Sequence, residues 1–256
     1  MGVVNVTPDS FSDGGRYLDA GAAVAHGEEL LKDGASILDV GGESTRPGAE
    51  EVDEGEELRR VEPVVRALAG DATVSIDTSK LAVAEVALDA GASIVNDVTA
   101  FQRDPGMASL CAERRAGVVL MHMPGNPRTM QDDPRYEDVV DDVKAFLAAR
   151  MEFAVGEGVA EERVWLDPGI GFGKTLEHNL ELLRRLRELR ELGRPLVIGT
   201  SRKSFIGKVD GSDVDGRIGG SIASSVLAAA EGADVLRVHD VAEMAQALAV
   251  ARAVLG

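Results

Sequence analysis

Short apolar runs rich in Val, Ile and Leu alternate along the chain with longer segments in which apolar and charged residues mix at helical spacing. Runs this short and this uniformly apolar read as strands buried on both faces, and the longer segments as the crossover helices that join parallel strands. Strands are predicted over residues 2–5, 36–40, 73–77, 93–96, 117–122, 164–167, 196–199 and 235–238. Helices fill the intervals, among them 22–33, with Val24, Leu30 and Leu31 set among charges, and the longer, more charged 136–157 and 176–192. One junction recurs. Lys32-Asp33-Gly34-Ala35-Ser36-Ile37, Asp89-Ala90-Gly91-Ala92-Ser93-Ile94 and Glu231-Gly232-Ala233-Asp234-Val235 each read as a helix end, a glycine cap and a small residue entering a strand. Eight strand–helix pairs with a repeated turn predict a (β/α)8 TIM barrel, an α/β fold forming a single domain over 1–256, rather than an open sheet.

The polar residues sharpen that picture by where they fall. Asn5–Ser10, 41–48, Asp77–Lys80, Asn96-Asp97, Met121–Met123, Asp167–Lys174, Thr200–Ser204 and Arg237–Asp240 all sit at the C-terminal ends of predicted strands. In a (β/α)8 barrel those ends form the active-site face. The most elaborate is the stretch Asp39-Val40-Gly41-Gly42-Glu43-Ser44-Thr45-Arg46-Pro47-Gly48. Its two adjacent glycines permit unusual dihedrals and close ligand approach, and Ser44, Thr45 and Arg46 add two hydroxyls and a guanidinium, which suits an anion beside a planar ligand.

Composition narrows the partners. The 256 residues carry 44 acidic against 27 basic side chains, a formal net charge of -17, which argues against nucleic acid as a partner but leaves room for an anion held by a few cations in one cleft. The basic residues are mostly arginine, a balance that either a high-salt setting or a G+C-rich genome produces. The 45% hydrophobic content is ample for a large core, and no low-complexity stretch divides the chain. A single cysteine, Cys111, excludes an internal disulfide, and neither a signal peptide nor an apolar run near the ~18 residues of a membrane span is visible. A soluble, cytoplasmic protein with no membrane partner is expected.

Seven of these segments, in order, resemble the signature segments of dihydropteroate synthase: Asn5-Val6-Thr7-Pro8-Asp9-Ser10-Phe11-Ser12-Asp13-Gly14-Gly15, residues 41–48, Ser75–Thr78, Asn96–Val98, Asp167–Lys174, Ser201–Ser204 and Arg237–Asp240. The resemblance implies a pterin-binding barrel that joins 6-hydroxymethyl-7,8-dihydropterin diphosphate to 4-aminobenzoate and releases diphosphate in folate biosynthesis, with Mg2+ as cofactor and a homodimer as the assembly. It also implies a short segment before the first strand, which here would begin at Met1.

The residue types fit that chemistry. A pterin offers an edge of N–H donors and a carbonyl, so it calls for carboxylates, an amide and a cation; Asp77, Asn96, Asp167 and Lys203 supply them, with Met121 and Phe172 as apolar walls. The bland alternatives are helix N-capping for the two aspartates and plain packing for the walls. Arg237 and His239 alternate on the last strand and read as a diphosphate clamp, joined by Arg46; His239 as an ordinary buried histidine is the alternative. Asn5 is the candidate magnesium contact, one amide oxygen sufficing for an ion that keeps its waters. By resemblance, Thr45, Pro47, Phe172, Ser201 and Lys203 surround 4-aminobenzoate together with Arg46. Arg46, Lys203 and Asp77 are expected nearest the reacting atoms. Loop ordering by bound diphosphate would complete the aminobenzoate pocket.

Other motifs fall away. Gly169-Ile170-Gly171-Phe172-Gly173-Lys174-Thr175 lacks the first P-loop glycine, replaced by Pro168, and as a dinucleotide fingerprint it has Lys174 at the third glycine. His26 and His178 are expected on solvated helix faces, and His122 has no partner at zinc spacing. A corrinoid-dependent, pterin-binding methyltransferase barrel would share the Asp/Asn contacts but not the Ser44-Thr45-Arg46 loop or the Arg237/His239 pair. A silent pterin-binding paralogue would keep the fold without the full residue set.

Overall fold

The computed structural model describes residues 1–7, 16–45 and 48–255. Its strands are β1 (Gly2–Asn5), β2 (Ile37–Gly41), β3 (Thr73–Asp77), β4 (Ile94–Asp97), β5 (Gly117–Met121), β6 (Val164–Asp167), β7 (Val197–Ile198) and β8 (Val235–Leu236). Between them run α1 (Arg16–Lys32), α2 (Glu54–Leu68), α3 (Leu81–Asp89), α4 (Gly106–Arg114), α5 (Val139–Gly156), α6 (Leu176–Arg184), α7 (Leu186–Leu189), α8 (Ser204–Asp210) and α9 (Ile218–Ala230), with α10 (Val241–Leu255) last. Strands β1 to β6 pair in parallel in sequence order, and β7 pairs with β8. Single parallel bridges, Leu166 to Leu196 and Gly2 to Val238, join the two sheets at both seams and close the ring. The predicted α/β barrel is therefore the observed architecture.

Side-chain alternation along the strands builds two cores. Outward residues such as Val4, Leu38, Val40, Ile76, Val95, Val118, Leu120 and Leu166 pack under the helices in one continuous cluster. Inward residues Ile94, Val119 and Val197, with Ile37, Trp165 and Val235 against them, fill the barrel near the strand N-termini. Further along, the inward positions turn polar: Asn5, Asp39, Ser75, Asp77, Asn96, Asp167 and Arg237, with Met121 among them. The same period that buries the apolar plug thus raises a charged layer above it.

Three expectations change. The 176–192 helix breaks into α6, α7 and a 3-10 turn over Arg190–Leu192, because Arg185 leaves helical geometry at φ -105° and ψ 23°. The last two strands are shorter than expected. At the entrance of β7 the Leu196 N–H is taken by the Asp234 carboxylate at 2.9 Å. His178, expected in solvent, instead completes a capping box at the start of α6: Thr175 Oγ1 accepts from the His178 N–H, and His178 Nδ1 accepts from the Thr175 N–H, each at 3.2 Å. Among the described residues no helix is long and apolar enough to cross a membrane.

Candidate active site

A charge cluster crosses the barrel at the level of the polar layer. Strand register places Gly41 beside Asp77, and Asp77 beside Asn96. From β8 the Arg237 guanidinium reaches across, with Nε 2.6 Å from Asp39 Oδ2 and Nη2 2.7 Å from Asp77 Oδ2. Asn96 Nδ2 donates to the same Asp39 oxygen at 3.1 Å. Burial pushes the Asp77 carboxyl up to about 7, with Arg237 opposing the rise and Asp39 adding to it. Three buried oxygens here, Asp39 Oδ1, Asp77 Oδ1 and Ser75 Oγ, have no hydrogen-bond partner among the described residues. Buried polar atoms are normally satisfied, so acceptors left over in a barrel mouth point to donors that a ligand brings.

The β6–α6 connection forms a second wall. Asp167 Oδ1 accepts the Gly169 N–H at 2.7 Å, and burial raises its carboxyl despite the opposing charge of Lys203. Gly169 has φ +69°, and a side chain there would meet the His122 carbonyl oxygen at 2.0 Å, so this turn requires glycine. Lys174 ties the connection to the end of β5. Its Nζ lies 3.0 Å from His122 Nδ1 and donates to the Phe172 carbonyl at 2.9 Å and the His122 carbonyl at 3.4 Å. Burial holds the Lys174 pKa well below its ordinary value, and burial followed by the Lys174 charge takes His122 down to about 3. Phe172, held through its own carbonyl, presents its ring to Lys203, whose Nζ is 4.6 Å from the ring centroid. Lys203 Nζ also donates to the Ile170 carbonyl. Burial brings the Lys203 ammonium down to about 8, Asp167 opposing.

The third wall comes from the ends of β7 and β8. Ser201 Oγ accepts the His239 N–H at 3.2 Å and lies 3.0 Å from His239 Nδ1. Arg202, with φ +57°, turns its guanidinium to the Asp240 carboxylate, its Nε donating at 3.0 Å. Buried Met121 belongs to an apolar cluster with Val98, Met123 and Met130, against which Phe172 packs.

The structure therefore gathers Asn5, Asp77, Asn96, Met121, Asp167, Phe172, Ser201, Lys203, Arg237 and His239 at one barrel mouth. Thr45 follows β2 on the same rim and is half-buried. Arg46 and Pro47 lie outside the described residues, as do 8–15 of the first loop. Neither aspartate is a helix cap: the α3 cap position is Lys80 and that of α6 is Thr175. Asp97 faces away, its carboxylate accepting from the Thr99 N–H and hydroxyl and the Phe101 N–H. Sequence reasoning missed Asp39 and Lys174. Inward alternation on β2 marks Asp39, and no local pattern marks the burial of Lys174. Among the described residues no group of three His, Cys, Asp or Glu side chains is arranged to hold a metal.

Comparison with known proteins agrees with this geometry. The pterin binding enzyme family matches residues 1–239. The dihydropteroate synthase of Synechocystis sp. is 47% identical over 99% of this chain and 89% of its own length. A Xanthomonas albilineans dihydropteroate synthase solved with 4-aminobenzoic acid superposes with a TM-score of 0.94 at 49% identity, covering 100% of this chain and 92% of that one. The same organism's enzyme in complex with 7,8-dihydropteroate gives a TM-score of 0.90 at 45% identity over 100% of this chain and 93% of that one. A family match over nearly the whole barrel, joined to relatives this close, means that the chain belongs to the dihydropteroate synthase family of pterin binding enzymes.

Proposed function

We propose that the chain condenses 6-hydroxymethyl-7,8-dihydropterin diphosphate with 4-aminobenzoate, giving 7,8-dihydropteroate and diphosphate. The observation that carries the reading is the set of buried oxygens on Asp39, Asp77 and Ser75 that have no partner among the described residues, in the same inward polar layer as Asn96 and Asp167. Acceptors of that kind complement the N–H edge of a pterin, and Asn96 adds an amide able to meet its carbonyl. Lys203 and Phe172 cover the ring, and Met121 lies beneath it.

Arg237 serves both ends of this substrate. Its Nε and Nη2 hold Asp39 and Asp77, which leaves the Nη1 side of the guanidinium fork for diphosphate, with His239 and Arg46 completing the anion site. Asn5, inward-facing at the end of β1, would offer its amide oxygen to a magnesium ion at this site. When bound, that ion neutralises charge on the leaving group. The bond from the exocyclic methylene to the diphosphate oxygen breaks early, its electron pair leaving with diphosphate while the dihydropterin delocalises the positive charge. The neutral aryl amine then forms the new C–N bond and loses a proton to water. Thr45, Pro47, Ser201, Lys203 and Phe172 surround the aryl amine, and the protein acts by positioning and electrostatic complementarity.

A homodimer is the assembly we propose. Its support is an apolar strip on α9 and α10, where Leu227, Val250, Val254 and Leu255 are 66%, 60%, 78% and 70% exposed. Leu227→Glu is expected to convert the dimer to a monomer in sedimentation.

Diphosphate release measured with both substrates and magnesium tests the activity itself. Release is expected only when all three are present, and none above background with all three would sink the reading. Asp167→Asn should weaken pterin and pterin diphosphate binding alike, since it removes a ring contact rather than an anion contact.

A further inference from the structure

The loop after β2 has a closed neck, and a side-chain knot closes it. Glu43, two residues beyond the end of β2, accepts the Val52 N–H at 3.0 Å through Oε1. Its other oxygen accepts from Lys80 Nζ at 2.7 Å, and Lys80 also donates to the Val52 carbonyl at 2.7 Å and to Glu57 Oε2 at 2.5 Å. One ammonium thus spends its three N–H donors on the first residue of the loop, the last residue of the loop and the helix that follows. Lys80 is 6% exposed and Glu57 is fully buried.

The knot rests on a rigid base. Gly42 lies flat on α2, where a side chain would meet Val61 at 2.7 Å and Glu57 at 2.9 Å. Arg60 Nη1 donates to the Gly42 carbonyl at 2.9 Å. The backbone is therefore fixed through Glu43, and Ser44, Thr45 and Arg46 are the next residues along it. Across the loop, the Gly48 N–H donates to the Pro127 carbonyl at 3.3 Å, so the far side of the segment leans on the β5–α5 connection.

Free ion pairs on a surface contribute little, but this knot joins residues 9, 23 and 37 positions from their partners at a point where the chain leaves the barrel. Closing the neck restrains the chain at Glu43, and so lowers the free energy needed to bring Thr45, two residues on, to a ligand. We propose that Lys80 and Glu43 are positioning residues for the second substrate: the Glu43–Lys80–Glu57 knot clasps both ends of the 43–52 loop and holds Thr45 within reach of 4-aminobenzoate. The proposal rests on the assignment of Thr45 to that substrate. The knot's hydrogen bonds run to Glu43, Val52 and Glu57 and not to Asp77, Asn96 or Asp167; the Glu57 charge does act on the Asp77 carboxyl, so the pterin control is read in a variant that keeps Glu57.

Glu43→Ala opens the neck while leaving the buried Lys80–Glu57 pair intact. In steady state, KM for 4-aminobenzoate is expected to rise about tenfold or more, with kcat reduced, because small displacements of positioning groups have effects of that size. The dissociation constant for the pterin alone, by calorimetry, should stay within about twofold, and Glu43→Gln, which keeps the acceptor for Val52, should recover most of the loss. Amides between 44 and 52 should exchange faster in Glu43→Ala. The double variant Lys80→Met/Glu57→Met replaces the pair with apolar side chains of similar size and should raise KM for 4-aminobenzoate as Glu43→Ala does. A folded Glu43→Ala with unchanged KM for 4-aminobenzoate, or with an equal loss of pterin binding, would overturn the clasp. Thr45→Ala run alongside separates the two levels. If it raises that KM and Glu43→Ala does not, the clasp fails and the loop assignment stands; if it leaves it unchanged, the assignment fails and the clasp falls with it.

Discussion

From β1 to β6, neighbouring strands share three to five paired residues of parallel ladder, whereas β7 and β8 share two and meet their outer neighbours through single bridges. Side chains take over where the ladder stops. Asp234 accepts the Leu196 N–H, Thr200 pairs with Ser225 at 2.7 Å, Ser201 with His239, and Arg202 with Asp240. The two arcs also divide the chemistry. The ladder arc carries the acceptors Asp39, Asp77, Asn96 and Asp167, while the tied arc carries Lys203, Arg237 and His239. Backbone ladders fix the acceptors to within the strand register, and the cations stand on the part of the ring where a shorter backbone pairing, including the Arg237 N–H to the Ile198 carbonyl at 2.9 Å, is supplemented by side-chain ties. Arg237 is the strut between them.

Breaking that strut should have the largest effect. Arg237→Met leaves Asp39 and Asp77 buried without their cation, and is expected to cost about 3–5 kcal/mol of stability with loss of activity. Adding Asp39→Asn should restore much of the stability and none of the activity. Chemical denaturation and the diphosphate assay read the two separately; a stable, inactive single variant would mean that the arcs hold together without the strut.

The second test uses pH, and two groups oppose each other in it. Asp77 has its folded pKa raised from 3.8 to about 7, so its contribution to stability is full below pH ~4 and is lost as pH rises through about 7. His122 has its folded pKa lowered from 6.5 to about 3, so its contribution is full above pH ~6.5 and is lost as pH falls through about 3. Each is on the order of 4 kcal/mol across nearly the same window, with opposite sign. Stability of the parent protein should therefore change little between pH 4 and pH 7 from these two groups, and Asp77→Asn should expose a fall in melting temperature on acidification. Ligand binding follows the same groups. Pterin binding to ionised Asp77 should weaken below pH ~7, and contacts to the Lys203 ammonium should weaken above pH ~8, giving a bell in kcat/KM that Asp77→Asn opens on its acid side.

A matched pair of hydroxyl deletions compares the arcs directly. Thr200→Val strands the buried Ser225 hydroxyl and is expected to cost about 1–3 kcal/mol, because in the tied arc that bond stands in for a ladder. Ser75→Ala in the ladder arc removes a buried hydroxyl that has no partner among the described residues, and should leave denaturation midpoints unchanged or slightly raised. Equal costs would erase the distinction.

The same contrast explains what the sequence disclosed. Strands β1, β3 and β6 fall where their apolar runs place them, since a ladder in a two-faced core leaves a plain local pattern. Strands β7 and β8 shorten to a two-residue ladder, and at the entrance of β7 the Leu196 N–H goes to Asp234, a side chain distant in sequence. The rim positions of Asp77, Asn96, Asp167 and Lys203 were legible from strand ends alone. Arg237 was legible as an inward cation but not as the partner of two carboxylates, because Asp39 sits among apolar neighbours and takes its meaning from a residue 198 positions away. Lys174 and Lys80 were placed at strand ends by the sequence, but their burial was not legible there, for burial is a property of the packed chain.

The smallest expected change in stability carries a sharp functional contrast. Arg202 lies between Ser201 and Lys203 in a left-handed conformation, φ +57°, that costs a non-glycine residue roughly 1–2 kcal/mol. Its pair with Asp240 is partly exposed, with side chains 43% and 17% accessible, and so contributes about 0–1 kcal/mol. Arg202→Gly relieves the first term, removes the second and loosens the unfolded chain by about 0.4–1 kcal/mol, so the net shift in stability should be close to zero. What changes is the hold on the loop. The Arg202 N–H remains bonded to Ser221 Oγ at 2.8 Å, but the tie from this loop to the end of β8 is reduced to Ser201 and His239. Ser201 and Lys203 then sample more orientations, and KM for 4-aminobenzoate should rise by roughly threefold to tenfold at an unaltered melting temperature. Asp240→Asn, which keeps the left-handed residue and weakens only the pair, should give a smaller rise in the same direction. If both variants bind 4-aminobenzoate as the parent does, the tied arc owes its geometry to Ser201–His239 and Thr200–Ser225 alone, and the Arg202 bridge has no part in positioning the substrate.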